Sequence, residues 1–150
     1  SVANLLALWR LHRVDEAMAE ALDRGVILAG VSAGSICWHV GGPTDSFGAE
    51  LRNVDNALGF LPYGNGVHYD TEEQRRPLLH RLVTEGSLPM SYATDDGVGI
   101  LYEEGEAVEV ISEMPSAAGP AACRVAQGHR RSGHAAVRGH RRHHPLFAHC

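Results

Sequence analysis

The stretch Val26-Ile27-Leu28-Ala29-Gly30-Val31-Ser32-Ala33-Gly34-Ser35-Ile36-Cys37-Trp38 is the most informative part of this sequence for its fold. The apolar run 26–29 predicts a buried strand, and the residues after Gly34 are compatible with a helix, so Gly-x-Ser-x-Gly lies where a strand turns into a helix. Glycines on both sides allow a sharp turn that exposes the Ser32 hydroxyl at the strand's carboxyl end. The stretch predicts a nucleophile elbow; a tight turn without chemistry is the alternative.

The segments around this turn alternate between helical and strand patterns, which indicates the α/β class. Apolar residues at helical spacing predict one helix from Leu5 to Leu22, ended by Gly25. Further helices are predicted over 33–39 and 71–84, the latter with Asp70 and Glu73 as a capping box. The remaining predictions are a long loop over 41–56, strand-like pieces at 59–61 and 66–68, strands at 90–93, 98–102 and 107–111, and a hairpin turn at 104–105.

The composition fits one domain of 150 residues with 44% hydrophobic residues, which is ordinary for a globular protein. No apolar run approaches the roughly 20 residues that span a bilayer, and the first segment resembles an amphipathic helix rather than a signal peptide. The three cysteines, Cys37, Cys123 and Cys150, are too widely spaced to indicate a disulfide framework or a zinc site. We therefore expect a cytoplasmic protein that has no metal, no cofactor and no membrane contact.

The charge divides the chain into two parts. All 18 acidic residues precede residue 115, whereas the stretch 115–150 contains arginines, histidines, alanines and glycines without helical or strand periodicity. We predict a partial α/β domain over 1–114, incomplete at its N-terminus because the strand expected before the first helix is absent. We predict a disordered tail over 115–150, foreign to the domain as an out-of-frame translation would be. Metal binding by the tail histidines 140, 143 and 144, or nucleic-acid binding by its arginines, is weakly supported.

A nucleophilic serine needs a base to take its proton and a third group to orient that base. His68 ends a strand-like piece just before a predicted helix, at the carboxyl edge of the predicted sheet where such sites form. The other histidines before the tail lie in predicted helices: His12, His39 and His80. His68 is therefore the candidate base, and a structural histidine near a helix N-terminus is the alternative reading of that residue.

The candidate for the third group is Asp96, in Thr94-Asp95-Asp96-Gly97 between two predicted strands. Asp-Gly is also an ordinary turn signal, so this assignment has a structural alternative. Asp45 and Asp70 are rival carboxylates, and spacing alone does not choose among the three.

Three segments resemble, in order, the peptidase E group of serine peptidases: Gly-Val-Ser-Ala-Gly-Ser-Ile-Cys-Trp, His-Tyr-Asp-Thr-Glu-x-x-Arg-Arg-Pro and Ala-Thr-Asp-Asp-Gly-Val. These are dipeptidase E-like enzymes, relatives of cyanophycinase with a class I glutamine-amidotransferase-like fold. The resemblance covers about residues 1–112 and not the tail. It implies a three-layer α/β fold with a mostly parallel sheet between helices.

The resemblance also implies roles for individual residues. Ser32 would be the nucleophile, His68 the general base and Asp96 the acidic third member, which is often Glu in this family. The backbone N–H of Ala33 would be one oxyanion donor, and the second would come from a glycine-rich loop expected just before Ser1. The substrates would be short peptides, notably dipeptides with N-terminal aspartate.

The sequence argues against two other enzyme classes. A glutamine amidotransferase would need Cys at position 32, and the order serine, histidine, acid differs from that of α/β-hydrolases. A cyanophycinase-like peptidase, a catalytically inactive α/β binding module and a nucleic-acid-binding tail are the alternatives. We expect little activity and marginal stability from this chain, because of the missing oxyanion donor and strands. An exposed sheet edge would favour a homo-oligomer.

Overall fold

The computed structural model of the chain describes residues 1–113, 122–126 and 145–149. These residues form four helices and nine strands, which confirms the α/β class. The helices are α1 (Val2–Leu11), α2 (Val14–Asp23), α3 (Ala33–Trp38) and α4 (Arg75–Thr84). The strands are β1 (Leu28–Val31), β2 (Gly42–Thr44), β3 (Arg52–Val54), β4 (Gly64–Gly66), β5 (Ser91–Thr94), β6 (Val98–Glu103), β7 (Glu106–Ser112), β8 (Ala122–Val125) and β9 (Pro145–His149).

The described strands form three sheets, with the orders β1-β9-β6-β7, β2-β3 and β4-β5-β8. The parallel pairs are β1 with β9 and β4 with β5. The other pairs are antiparallel, so the described sheets are more mixed than the mostly parallel sheet that we expected. The strand before Ser32 and the strand before His68 therefore lie in different sheets.

The N-terminal segment forms two helices instead of the one predicted. Arg13 adopts a left-handed conformation, with φ 57°, and this interrupts the helix between α1 and α2. Val2 and Leu6 of α1 are buried in the core, whereas no residue of α2 is fully buried. Helical spacing continues through the break, which is why the sequence pattern did not reveal it. The end predicted at Gly25 is confirmed, since this residue has φ 83°.

Other boundaries differ from the predictions. Strand β1 begins two residues later than predicted and leaves Val26 and Ile27 exposed. The predicted loop 41–56 contains the antiparallel pair β2 and β3, whose short strands carry no alternating pattern. No strand forms at 59–61, and the strand predicted at 66–68 lies at 64–66 instead. The hairpin at 104–105 is confirmed by the pairing of β6 with β7.

The predicted capping box before α4 is wrong. Helix α4 begins at Arg75, its N-cap residue is Gln74, and no side chain caps it. Asp70 instead accepts a hydrogen bond from the backbone N–H of Asp96, at 3.0 Å. A tertiary partner has replaced the local one, which the sequence pattern could not show.

Two segments of the predicted tail form strands. Strand β8 pairs with β5, and β9 lies between β1 and β6. This is regular structure where the sequence predicts none, because strands this short need no long periodic pattern when neighbouring backbones pair with them. The three tail histidines proposed as metal ligands lie outside the described residues.

The core consists of three apolar clusters, two of which include residues of α3. Ile36 and Cys37 pack with Val2, Leu6 and Val67, whereas Trp38 packs in a second cluster with Leu61 and Tyr102. Trp38 lies between Trp9 and Phe60, with ring centroids 5.6 and 5.8 Å away. The third cluster lies beneath α4. The short helix that follows Ser32 is thus anchored on several sides. None of the helices among the described residues is long and apolar enough to cross a membrane.

Candidate active site

Ser32 lies at the junction of β1 and α3, where the chain turns from strand to helix. Its backbone has φ 51° and ψ −111°, a conformation that side chains rarely adopt and that marks a sharp turn. Its carbonyl accepts from the N–H of Ile36 at 3.1 Å, which closes the first turn of α3. This is the strand–turn–helix arrangement that the sequence predicted for an elbow.

The two glycines of the motif have different structural roles. A Cβ on Gly30 would lie 2.5 Å from the carbonyl carbon and oxygen of Gly34, and it would also clash with the indole nitrogen of Trp38. A Cβ on Gly34 would meet nothing within 4 Å. Close packing therefore requires glycine at the first position and permits a side chain at the second.

The imidazole of His68 lies against the Ser32 hydroxyl. Ser32 Oγ and His68 Nε2 are 2.8 Å apart, and His68 Nδ1 is 2.5 Å from Asp96 Oδ1. Because a carboxylate can only accept, Nδ1 carries the hydrogen, which leaves Nε2 to accept from the serine hydroxyl. His68 has φ 53° and follows Val67, which is completely buried. In this tautomer the ring can take a proton from Ser32.

Asp96 lies in the turn between β5 and β6, as the sequence predicted. Its Oδ1 faces His68, and its Oδ2 accepts from the Thr71 hydroxyl at 3.0 Å. Of the two rival carboxylates, Asp70 binds the backbone N–H of Asp96, and Asp45 lines a surface cavity of about 620 Å³ between the 45–51 segment and residues 72–74. The structure therefore brings Asp96, and neither rival, to the His68 ring.

Ala33, the predicted oxyanion donor, is the first residue of α3. The first N–H groups of a helix have no acceptor within that helix, and they point toward its N-terminus, where anions bind. The N–H of Ala33 directly follows the carbonyl of Ser32, so it lies beside the hydroxyl-bearing residue. This position suits the predicted role.

The surroundings of the acid are negatively charged. Burial raises the pKa of the Asp95 carboxyl, and the carboxylates of Asp70 and Asp96 raise it further against the opposing effect of Arg76. The guanidinium of Arg76 lies 4.5 Å from the centre of the Tyr69 ring. Among the described residues, the carboxylates of Asp70, Asp95 and Asp96 thus lie near one another, and the Arg76 guanidinium partly offsets their charge.

The described residues contain no group of three or more histidine, cysteine, aspartate or glutamate side chains that could hold a metal ion. Cys37 is completely buried, and burial raises its pKa to about 11, so its thiol is a poor nucleophile or ligand. The contacts from Ser32 through His68 to Asp96 suggest the chemistry of a serine, a histidine and a carboxylate.

Sequence reasoning missed the contacts of Asp70 and Thr71 with Asp96. Both residues lie in the His-Tyr-Asp-Thr-Glu segment, where an aspartate before a predicted helix is typical of a cap. In the structure the 94–96 turn lies against this segment, and the partner of both residues is Asp96, which is distant in sequence.

Comparison with known proteins agrees with this geometry. The sequence model of peptidase family S51 matches residues 2–110. The uncharacterized peptidase YgaJ of Bacillus subtilis (strain 168) is 40% identical over 114 residues, which cover 76% of this chain and 49% of that protein. The chain thus spans about half the length of this curated relative. No solved structure matches the chain.

Proposed function

The chain belongs to peptidase family S51, and from this premise we propose that it is a serine peptidase acting through an acyl-enzyme on Ser32. The observation that carries the proposal is the continuous set of contacts from the Ser32 hydroxyl through His68 to Asp96, at 2.8 and 2.5 Å. Serine hydroxyls are weak nucleophiles, and this arrangement supplies the base and the orienting carboxylate that they need.

In the proposed reaction, Ser32 Oγ attacks the peptide carbonyl carbon while its proton passes to His68 Nε2. Asp96 stabilises the imidazolium that forms, and the N–H of Ala33 donates to the oxygen that becomes negative. The imidazolium then protonates the leaving amine as the C–N bond breaks. Water then attacks the Ser32 ester while His68 takes one of its protons. The bond between the acyl carbon and Ser32 Oγ breaks, His68 returns the proton to Oγ, and the acid is released.

We propose short peptides as substrates, with dipeptides bearing N-terminal aspartate as the preferred class. The support for this preference is the resemblance of the 30–38, 68–77 and 93–98 segments to peptidase E enzymes. The test is the rate of hydrolysis of Asp-Leu, Asn-Leu and Ala-Leu, measured by the amine that is released. We expect the aspartyl dipeptide to be cleaved fastest. Equal rates for all three would contradict the preference without affecting the Ser32 assignment.

The nucleophile itself is tested with a fluorophosphonate probe and intact-mass analysis. We expect one adduct, on Ser32, which is lost in Ser32→Ala and kept in Ser87→Ala, a control at an exposed serine in the turn after α4. His68→Gln should slow labelling by about 10³-fold, since the base is lost. Labelling that survives Ser32→Ala would refute the assignment of Ser32 as the nucleophile. No labelling of the unmodified chain would favour an inactive binding module.

We also propose a cytoplasmic location, which the cysteine pattern and the buried Cys37 thiol support. Fractionation of the source cells, with the protein followed by an antibody, tests it. Recovery from an extracytoplasmic fraction would contradict it.

A further inference from the structure

We propose that Thr71 is a positioning residue that holds the Asp96 carboxylate against His68, and that residues 69–71 fix the whole 94–96 turn for this purpose. This inference rests on the proposed function, because it assigns a task to residues around the proposed acid and base. The segment 69–71 is called the clip below.

Each carboxylate oxygen of Asp96 has a hydrogen-bond partner within residues 68–71. Oδ1 accepts from His68 Nδ1–H at 2.5 Å, and Oδ2 accepts from the Thr71 hydroxyl at 3.0 Å. The Asp96 side chain is 47% exposed, so packing does not hold its carboxylate in one orientation. A second hydrogen bond on the far oxygen restricts rotation of the carboxylate, which keeps the near oxygen directed at the imidazole.

The clip also holds the backbone of the turn. The N–H of Tyr69 donates to the carbonyl of Thr94 at 3.1 Å, and the N–H of Asp96 donates to Asp70 Oδ1 at 3.0 Å. Three consecutive residues therefore each make one hydrogen bond to the 94–96 turn.

The clip follows His68 directly in the chain, and the left-handed φ of 53° at His68 begins the turn into it. The carbonyl of His68 also accepts from the N–H of Glu72 at 3.1 Å, so the clip is closed on itself. The parallel pairing of β4 with β5 leads the chain into both His68 and the 94–96 turn. This pairing and the local hydrogen bonds of the clip together align the base with the acid, although Asp96 is exposed.

The test compares Thr71→Val, which has nearly the same shape but no hydroxyl, with Thr71→Ser, which keeps the hydroxyl. The first measurement is the rate of fluorophosphonate labelling of Ser32 against probe concentration. We expect Thr71→Val to lower the limiting rate about tenfold with unchanged probe affinity, and Thr71→Ser to restore most of it. If Thr71 had a purely structural role, both variants would instead lose labelling rate to the same extent, or their melting temperatures would fall.

The second measurement does not need activity. The downfield proton resonance of His68 Nδ1–H, observed by NMR, reports its hydrogen bond to Asp96. We expect this resonance in the unmodified chain and in Thr71→Ser, and its broadening or loss in Thr71→Val. An unchanged resonance in Thr71→Val would overturn the inference. The two claims can fail separately. If the unmodified chain shows the resonance but Ser32 does not label, the proposed function is wrong. The resonance in Thr71→Val and Thr71→Ser then still tests the positioning role of Thr71.

Discussion

The two halves of the site are built differently. The nucleophile half comprises β1, Ser32 and α3, and the acid–base half comprises β4, residues 67–71 and Asp96. Strand β4 is buried throughout, whereas residues of β1 alternate between half-buried and exposed, with Val31 64% exposed. Both halves nevertheless contain a non-glycine residue with left-handed φ, 51° at Ser32 and 53° at His68.

A residue in such a backbone conformation is strained by roughly 1–3 kcal/mol. The two halves of the site support this strained residue in different ways. Ser32 is supported by the packing of its neighbours, since Gly30 and Gly34 are in close contact and α3 is anchored through Ile36 and Trp38. His68 is supported mainly by hydrogen bonds from adjacent loops. The nucleophile half should therefore be sensitive to added volume, and the acid–base half to lost hydrogen bonds.

The largest effect is expected for Gly30→Ala. Its methyl group would overlap the Gly34 backbone, which cannot move without distorting α3, so we expect a loss of about 3 kcal/mol or more in the free energy of unfolding. Gly34→Ala is the matched control: its Cβ meets nothing within 4 Å, and we expect a change within about 1 kcal/mol. Urea unfolding of both variants measures the free energy of unfolding. Similar losses in the two variants would contradict the claim that close packing restricts position 30 and not position 34.

The next effect concerns the contact that joins the two halves. Asn65 of β4 donates through Nδ2 to the Ser35 hydroxyl of α3 at 2.5 Å, and both side chains are buried. Asn65→Ala should cost about 2 kcal/mol, because it leaves the Ser35 hydroxyl buried without this partner. In a double-mutant cycle with Ser35→Ala we expect a coupling of about 1 kcal/mol. Additive losses would show that the halves are not linked through this contact.

A lower pH is expected to reduce the free energy of unfolding by a similar amount. His39 is completely buried at the end of α3; its Nδ1–H donates to the Ser35 carbonyl, and Tyr102 lies beside Nε2. Burial lowers the pKa of His39 to about 4 from its ordinary value of 6.5. Between these values the unfolded chain takes up a proton that the folded chain does not, so stability is lost as the pH falls from 6.5 toward 4.

From pH 7 to pH 5 the predicted contribution of His39 to this loss is about 2 kcal/mol. Urea unfolding at the two pH values measures it, with His39→Gln as the variant that removes the titrating group. If the variant has the same pH dependence as the unmodified chain, His39 is not the cause.

The smallest effect is expected on the exposed strand. Val31→Thr should change the free energy of unfolding by less than about 0.5 kcal/mol, because the side chain is 64% exposed. The same substitution at Val67, which is 0% exposed, buries a hydroxyl and should cost about 2 kcal/mol. Thermal unfolding of the pair gives a direct comparison of the two halves, and equal shifts would contradict it.

Much of the site could be predicted from sequence because its signals are local. The elbow at 30–34 needs only a strand, two glycines and a helix, and these occur together along the chain. The break at Arg13 and the β2–β3 pair were not predicted, because helical spacing continues through the break and the two short strands carry no alternating pattern. The start of α4 was not predicted because the aspartate expected to cap this helix binds a residue distant in sequence. That partner is 26 residues away.

The sequence by itself determined the α/β class, the elbow around Ser32 and the candidates His68 and Asp96, because residue type and local spacing are enough for these. Only the tertiary structure shows which of Asp96, Asp45 and Asp70 lies beside the imidazole: Asp96, whose Oδ1 is 2.5 Å from His68 Nδ1. It also decided that Asp70 and Thr71 contact Asp96 instead of capping a helix. Hydrogen bonds between loops form only when the fold brings residues that are distant in sequence into contact. Local sequence patterns do not show which of these residues will meet.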